Sequence, residues 1–182
     1  MNKKLLFGCL TIVLLISGFL IADRSMVNEG RIEAENVLFE NAEEAAAASD
    51  LVLEVRATER STSIEEGENG FGIGHTLTDV EVLNVLENKT NEDPDSMLTV
   101  AEPFVESERI IGKEVTTYGN YTPLKHDDTY ILFLDWGENI QNYWINSLEQ
   151  GQIPLDKQES EYATTEQYES LITSVKEAYS VD

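Results

Sequence analysis

Apolar residues fill every position from Tyr130 to Leu134, and polar turn residues bound this run on both sides. A short uninterrupted run of strand-forming residues is typical of a β-strand buried on both faces. From Leu51 to Ala57 apolar and polar positions instead alternate, with Glu54 and Arg56 on the polar side. That alternation predicts a half-buried strand. The pattern therefore predicts a central buried strand that other strands cover.

The longest strand predicted by the pattern runs from His75 to Glu87. Its apolar residues change parity near Leu83 and Asn84, so the pattern predicts a β-bulge there. Phe104 to Ile110 has no clear period and stays ambiguous. Further strands are predicted at Met97–Ala101, Glu114–Tyr118, Tyr143–Ser147 and Gly151–Leu155. The residues expected in the core are Leu53, Val55, Val80, Val82, Val100, Ile131, Phe133 and Val175.

Two helices are predicted to flank the strands. Alanines and glutamates favour a short helix within Asn36–Ala48. Apolar residues at helical spacing from Tyr168 to Tyr179 predict an amphipathic C-terminal helix, with Thr164 and Gln167 as its capping box. The glycine-rich segment Glu59–Gly74 predicts a hairpin loop. The predicted fold is mainly β, an antiparallel OB-like barrel with a helix before it and a helix after it.

The N-terminal segment predicts export from the cytoplasm. Lys3 and Lys4 precede Leu5–Ala22, an uncharged apolar run of 18 residues. This arrangement is typical of a signal peptide or membrane anchor with its basic end inside. Ala22 permits cleavage whereas Leu20 disfavours it, so an uncleaved anchor is slightly favoured over a removed signal peptide. A lipoprotein signal at Cys9 is disfavoured because too few apolar residues precede it.

The predicted organisation has three parts. Residues 1–22 form the signal peptide or anchor, residues 23–35 a polar linker, and residues 36–182 the β domain with its helices. The predicted location is the cell membrane with the domain outside the cytoplasm, or secretion if the signal is removed. The membrane is then a partner through the N-terminal segment.

Charge narrows the class of partner. The chain carries 35 acidic and 12 basic residues, a formal net charge of −23. Such a surface repels nucleic acid, so nucleic acid is not an expected partner. Cys9 is the single cysteine of the sequence, so neither an intramolecular disulfide nor a site of several cysteine ligands is expected.

Several segments together carry a resemblance to known proteins. They are Ser49–Val55, Asp79–Leu86, Leu98–Val100, Tyr121–Lys125 and Tyr130–Leu134. In this order they resemble a poorly characterised family of exported proteins from Gram-positive bacteria. The strand order is also similar to the netrin-like OB barrels of tissue metalloproteinase inhibitors. The resemblance implies an OB-like barrel. It does not imply protease inhibition, because those inhibitors chelate zinc through an N-terminal cysteine that this chain lacks.

Catalytic patterns are sparse. His75 and His126 are the histidines of the sequence, and both are expected at the surface. No Gly-x-Ser-x-Gly or Ser-x-x-Lys motif occurs. No metal or cofactor is therefore predicted. The candidate binding residues form an aromatic rim next to the Glu59–Gly74 loop: Phe71, Trp136, Tyr143 and Trp144. Aromatic residues such as Trp136, Tyr143 and Trp144 more often cap one end of a barrel, and that role is favoured over a binding platform.

The sequence favours a non-enzymatic binding or interaction module of the cell envelope, with a protein or cell-wall partner. The alternatives are a hydrolase of cell-wall polymer that uses two carboxylates, and a purely structural envelope component. Acidic residues are too numerous for any pair of them to mark a glycosidase site from sequence alone.

Overall fold

A computed structural model of the chain describes residues 26–35, 37–65, 74–156 and 165–180. The β-strands are β1 Val27–Ile32, β2 Leu51–Glu65, β3 Gly74–Asn88, β4 Met97–Glu102, β5 Phe104–Glu108, β6 Lys113–Tyr118, β7 Thr129–Gly137, β8 Asn142–Ile145 and β9 Gln152–Pro154. The helices are α1 Ala42–Ala47 and α2 Glu166–Tyr179, with a 3-10 helix at Leu148–Gly151. The prediction of a mainly β fold is confirmed.

Five strands form a nearly closed sheet. β2 pairs with β3, β3 with β4, β4 with β8, and β8 with β7. A further pairing of β7 with β2 connects the two ends of this series. The β4–β8 pair is parallel and the other four pairs are antiparallel. β9 extends the sheet along the edge of β7 that also holds β8.

Apolar side chains form two layers, one inside the nearly closed sheet and one between the sheet and the helices. The inner layer contains Leu51, Leu53, Val55, Ala57, Val80, Val100, Phe104, Tyr121, Tyr130, Leu132, Leu134 and Ile145. The outer layer contains Phe39, Ala42, Ala45, Ala46, Val52, Ile131, Phe133, Ile153, Tyr168, Leu171 and Val175. β7 contributes alternate residues to both layers, so the prediction of a strand buried on both faces is confirmed.

The predicted core is also observed, with one partial exception. Val82 is only partly buried, whereas the other residues expected in the core are fully buried. The alternation in β2 predicted a strand buried on one face. At its start the strand is buried on both faces, because Val52 on the polar side lies in the outer layer. The helices cover that part of the sheet. Farther along β2, Glu54 is partly exposed and Arg56 and Glu59–Thr62 are exposed, so the predicted loop Glu59–Gly74 begins as strand.

The predicted bulge in β3 lies at the expected place. Glu54 pairs with Asn84 while the next residue, Val55, pairs with Val82, so Leu83 has no opposite residue on β2. A second irregularity follows because Val52 pairs with Glu87 and Leu53 with Val85. Bulges increase local twist and bend a strand, which helps a sheet to close on itself.

A second sheet, in the order β1–β6–β5, corrects the prediction of a linker over residues 23–35. Val27–Ile32 is a strand that pairs in parallel with β6. Most of its side chains are exposed, so backbone pairing rather than burial defines this strand, and its sequence has no apolar alternation. Phe104–Ile110, which stayed ambiguous, contains β5. Residues 23–25 lie outside the described residues.

The helices are placed as predicted, but α1 is shorter than the predicted range. Asn41 is its N-cap, and the Asn41 side chain accepts a hydrogen bond from the Glu44 N–H at 3.0 Å. The preceding residues Val37 and Leu38 are exposed and not helical. The C-terminal helix α2 is confirmed, and its N-cap is Thr165. The predicted capping residue Thr164 lies outside the described residues.

Within the described part of the chain, neither helix is long and apolar enough to span a bilayer. The predicted anchor Leu5–Ala22 lies outside that part, so its insertion into a membrane stays a prediction.

Substituting Gly112 by alanine should weaken the second sheet. Gly112 has a φ of 74°, and a Cβ atom there would lie 2.1 Å from the backbone oxygen of Met26. Left-handed strain and this clash should together cost about 1–3 kcal/mol. We expect faster amide hydrogen exchange in β1 and β6.

Gly30→Ala is the matched control. Its Cβ would meet the Thr116 side chain, with the hydroxyl nearest at 2.9 Å, and a rotation about χ1 moves that hydroxyl away. Unchanged amide exchange of β1 in Gly112→Ala would contradict the close approach of Gly112 to Met26.

Candidate functional site

The predicted aromatic rim is only partly assembled. Trp136 and Tyr143 are direct partners on β7 and β8, with ring centroids 5.2 Å apart at 74°. Trp136 is 41% exposed and Tyr143 packs against the inner layer. Trp144 projects from the opposite face, because adjacent residues of a strand point to opposite sides. The rings of Trp144 and His75 meet edge to face, with their centroids 6.3 Å apart. Phe71 lies outside the described residues.

The histidine prediction holds for one residue and is wrong for the other. His126 is exposed and lies 3.2 Å from a carboxylate oxygen of Asp127. His75 is buried beside Trp144. Long-range pairing between strands buries it, and its position at the start of a strand gave no sign of this. Among the described residues, no group of three or more His, Cys, Asp or Glu side chains is arranged to hold a metal ion.

A groove with a volume of about 540 Å³ lies between the second sheet and the segment that precedes β7. We call it the β1 groove. Its lining residues are Val27, Glu29, Gly30, Arg31, Val115, Thr117, Asn120, Tyr121, Thr122 and Pro123. Alternate side chains of β1 and β6 form one wall, and the chain from Asn120 to Pro123 forms the other. The lining is mixed, with charged, hydroxyl and apolar groups.

Arg31 connects the two walls of the groove. Its Nη1 donates a hydrogen bond to Oδ1 of Asn120 at 3.0 Å. Arg31 and Asn120 also border a neighbouring cleft that contains Glu33 and Glu35. The guanidinium therefore lies between two concave surfaces, and Glu29 adds a carboxylate two residues before it on the same face of β1.

One edge of β1 has no strand beside it in the described part of the chain. The opposite edge faces β6, where the carbonyls of Met26 and Ile32 accept from the N–H groups of Lys113 and Gly119 at 2.9 and 2.8 Å. In a parallel pair, alternate residues bond to a given neighbour, so the intervening odd residues direct their backbone groups outward. Those residues also place their side chains in the β1 groove.

Glu102 lies beneath the groove wall and is 1% exposed. Its carboxylate accepts hydrogen bonds from Thr78 Oγ1, from Tyr121 Oη at 2.7 Å and from the Leu124 N–H at 2.8 Å. Burial raises the pKa of Glu102, because desolvation of the charged form outweighs these three hydrogen bonds. Tyr121 and Leu124 belong to the segment around the groove wall, so this carboxylate attaches that segment to the nearly closed sheet.

Two further hydrogen bonds attach the same segment. The Tyr130 hydroxyl accepts from the Lys125 N–H at 3.0 Å. The Gln152 amide donates to the Thr122 carbonyl at 2.7 Å. Burial of the Tyr130 ring is the main cause that raises its pKa to about 12, so its hydroxyl is neutral at physiological pH. The groove wall is thus bound to β4, β7 and β9 and is preformed.

A pair of carboxylates lies near Trp136. Burial raises the pKa of Asp135, and the nearby charge of Asp50 raises it further. Oδ2 of Asp50 accepts a hydrogen bond from the backbone N–H of Trp136 at 2.9 Å. Lys89 opposes the shift of Asp135, and its ammonium also donates to the Ala47 carbonyl at 3.0 Å. Asp50 therefore holds the start of β2 against β7.

Sequence reasoning missed Glu102 and Arg31. Glu102 follows Leu98 and Val100 at the same parity on β4, so the alternation places it on the inner face. That signal was present in the sequence. Arg31 had none, because its strand is defined by pairing with β6.

Comparison of the chain with protein-family models, with curated proteins and with solved structures finds no match. The geometry of the site is therefore the basis for a functional proposal.

Proposed function

We propose that this chain is a non-enzymatic binding module of the bacterial cell envelope, and that the β1 groove and the adjoining edge of β1 bind an extended segment of a partner protein. The observation that carries the proposal is the backbone edge of β1 that pairs with no other strand among the described residues, beside a preformed groove. In this proposal Leu5–Ala22 holds the domain at the outer face of the membrane.

Strand addition fits the chemistry of this surface. An extended peptide that joins a sheet edge gains main-chain hydrogen bonds, and pockets for its alternate side chains provide specificity. The outward backbone groups of Val27, Glu29 and Arg31 can form the main-chain hydrogen bonds. The β1 groove provides the pockets for side chains. Arg31 and Glu29 supply opposite charges within the groove, which favours a partner segment with both acidic and basic residues.

We propose further that the nearly closed sheet is an OB-like barrel. Its five strands follow the order β2–β3–β4–β8–β7, so the fourth and fifth strands are exchanged relative to the chain. This departure from an up-and-down order, with the parallel β4–β8 pair, supports an OB-like Greek-key arrangement. Fold alone does not define a ligand, so the binding proposal rests on β1.

A carboxylate hydrolase is the competing function, and the hydrogen bonds of Glu102 and Asp50 argue against a catalytic role for these two acids. Both oxygens of Glu102 accept hydrogen bonds, from Thr78, Tyr121 and Leu124. Asp50 accepts a hydrogen bond from the backbone N–H of Trp136. These contacts support structural roles for both acids.

Photo-crosslinking of the full chain in cells tests the binding proposal. We expect a photoreactive residue at Thr117 in the β1 groove to give a discrete protein adduct. The same residue at Glu92, in the exposed turn after β3, should give none. Glu29→Pro should abolish the adduct because proline removes an outward N–H from the edge strand, where proline is tolerated.

Glu29→Ala is the matched control, since it removes the carboxylate and keeps the N–H, and it should retain the adduct. An adduct that persists in Glu29→Pro would contradict strand addition. An adduct with polysaccharide in place of protein would contradict the class of partner.

A further inference from the structure

Exposed apolar side chains cluster where β1 begins and where the β5–β6 hairpin turns. We call this cluster the apolar tip: Met26, Ile110 and Ile111. Ile110 is 100% exposed, Met26 is 52% exposed and Ile111 is 45% exposed. The neighbouring Val27 is also exposed, but its side chain lines the β1 groove. A group of exposed large apolar side chains on a highly acidic protein is typical of an interaction site.

The two parts of the apolar tip are bonded to each other. The Lys113 N–H donates to the Met26 carbonyl at 2.9 Å, and the Arg109 N–H donates to the Gly112 carbonyl at 3.1 Å. Gly112 passes so close to Met26 that a Cβ atom would lie 2.1 Å from its oxygen. The hairpin turn therefore sits directly against the residue at which the chain enters the second sheet.

Position in the sequence indicates what covers the tip. Four residue steps separate Ala22, the last residue of the apolar run, from Met26. A fully extended chain spans about 14 Å over that distance. The headgroup region of each leaflet is roughly 5–8 Å thick. If Leu5–Ala22 is an uncleaved anchor, as the proposed function has it, Met26 and the hairpin bonded to it are held within reach of the lipid surface.

We propose that the apolar tip inserts into the membrane–water interface at the outer face of the cell membrane. This contact fixes the orientation of the domain on the lipid surface. The occupant of the tip is the lipid bilayer. This inference rests on the membrane anchor of the proposed function, and it assigns a second membrane contact more than 80 residues along the chain from that anchor.

The charges around the tip define the kind of contact. Arg109 and Lys113 flank Ile110 and Ile111, but they form ion pairs with Glu114 and Glu106. The tip therefore carries no excess of basic side chains for anionic headgroups, and its insertion depends on apolar burial. The remaining surface is acidic, and anionic lipid repels it. Both effects favour contact through the tip alone.

This orientation also places the β1 groove. β1 begins at the apolar tip and spans six residues, about 20 Å at 3.3 Å per residue. The open edge of β1 would then rise from the lipid surface. A partner segment that pairs with it would be bound close to the membrane and aligned away from it.

Fluorescence of the full chain in lipid nanodiscs tests the inference. Cys9 is replaced by serine, and a single cysteine at Ile111 carries an environment-sensitive dye. We expect a blue-shifted emission and quenching by lipids that bear a quencher near the headgroup. A dye at Glu92 should show neither, because that turn follows the far end of β3, a strand of 15 residues that begins beside Tyr118 of β6.

Ile110→Asp in the dye-labelled Ile111→Cys chain is the decisive variant. It places a charge at the most exposed position of the tip and should abolish both the blue shift and the quenching while the chain stays in the nanodisc. A signal in zwitterionic nanodiscs that is no stronger in anionic ones is expected for apolar insertion, because the acidic surface is repelled by anionic lipid.

Three outcomes would overturn the inference in distinguishable ways. A soluble product with Asp23 as its first residue, identified by mass, would remove both the anchor and the inference. A membrane-bound chain with a solvent-exposed dye at Ile111 would remove the tip contact alone. A dye shielded from water but not quenched by lipid would indicate a protein or a second copy as the occupant.

Discussion

Replacing Phe133 by alanine should lower the free energy of unfolding by about 3–5 kcal/mol. Phe133 is fully buried in the outer layer, where it lies opposite Val52 on β2 and in the cluster that includes Val175 of α2. The substitution removes a large buried apolar surface. It also leaves a cavity between the sheet and α2 that neither element can fill by moving. Chemical denaturation monitored by circular dichroism and fluorescence would measure the loss.

Ile110→Ala is the control for the Phe133 substitution. Ile110 is a large apolar residue that is fully exposed, so its truncation should change stability by less than about 0.5 kcal/mol. A domain of ordinary stability, about 5–15 kcal/mol, would lose a large fraction of it through Phe133→Ala. Equal effects of the two substitutions would show that α2 does not pack on β7.

Removing the buried carboxylate of Glu102 should have the second largest effect on stability. Glu102→Leu leaves two hydroxyls and the Leu124 N–H near an apolar side chain, and each unsatisfied donor costs about 1–3 kcal/mol. Thr78 and Tyr121 can rotate their hydroxyls to other acceptors, but the backbone N–H cannot. We expect a loss of about 2–4 kcal/mol on these figures and a loosened groove wall.

Glu102→Gln is the conservative variant, and it should retain most of the stability. Its amide oxygen replaces the oxygen that accepts from Tyr121 and Leu124, while its amide N–H₂ donates to the Thr78 hydroxyl. Hydrogen exchange at residues 119–125 should rise in Glu102→Leu and stay near the original rate in Glu102→Gln. Unchanged exchange in both variants would contradict the role of Glu102 in holding the wall.

The same variant isolates a dependence on pH. The pKa of Glu102 is higher in the folded state than in the unfolded state, because burial disfavours its charged form. Between these two pKa values the folded state binds more protons, so stability falls as pH rises through that interval. Below the unfolded pKa, near 4.5, and above the folded pKa the contribution of Glu102 is constant.

The measurement is the difference in unfolding free energy between Glu102→Gln and the original chain as a function of pH. It should grow in favour of the glutamine variant as pH rises from about 4.5, since glutamine does not titrate. Taking a difference cancels the repulsion among the other acids of this highly acidic chain. A difference that shrinks over the same range would reverse the sign of the proposed shift.

The sequence alone predicted the parts of the fold that depend on burial. Uninterrupted apolar residues from Tyr130 to Leu134 predicted a strand between two apolar layers, and the structure contains both layers. A change of parity in β3 predicted the bulge at Leu83. Regular spacing predicted α2. In each case burial selects apolar residues at a fixed period, so the period is visible in the sequence.

Tertiary structure alone decided the features on which the candidate site depends. β1 is held by backbone hydrogen bonds to β6, and backbone bonding places no requirement on side-chain type, so Val27–Ile32 had the appearance of a linker. Trp136 and Trp144 were predicted in one rim, but the pleat of neighbouring strands separates them. The apolar tip joins Met26 to Ile110 and Ile111 across more than 80 residues. Long-range pairing brings these residues together, and no local pattern records which strands pair.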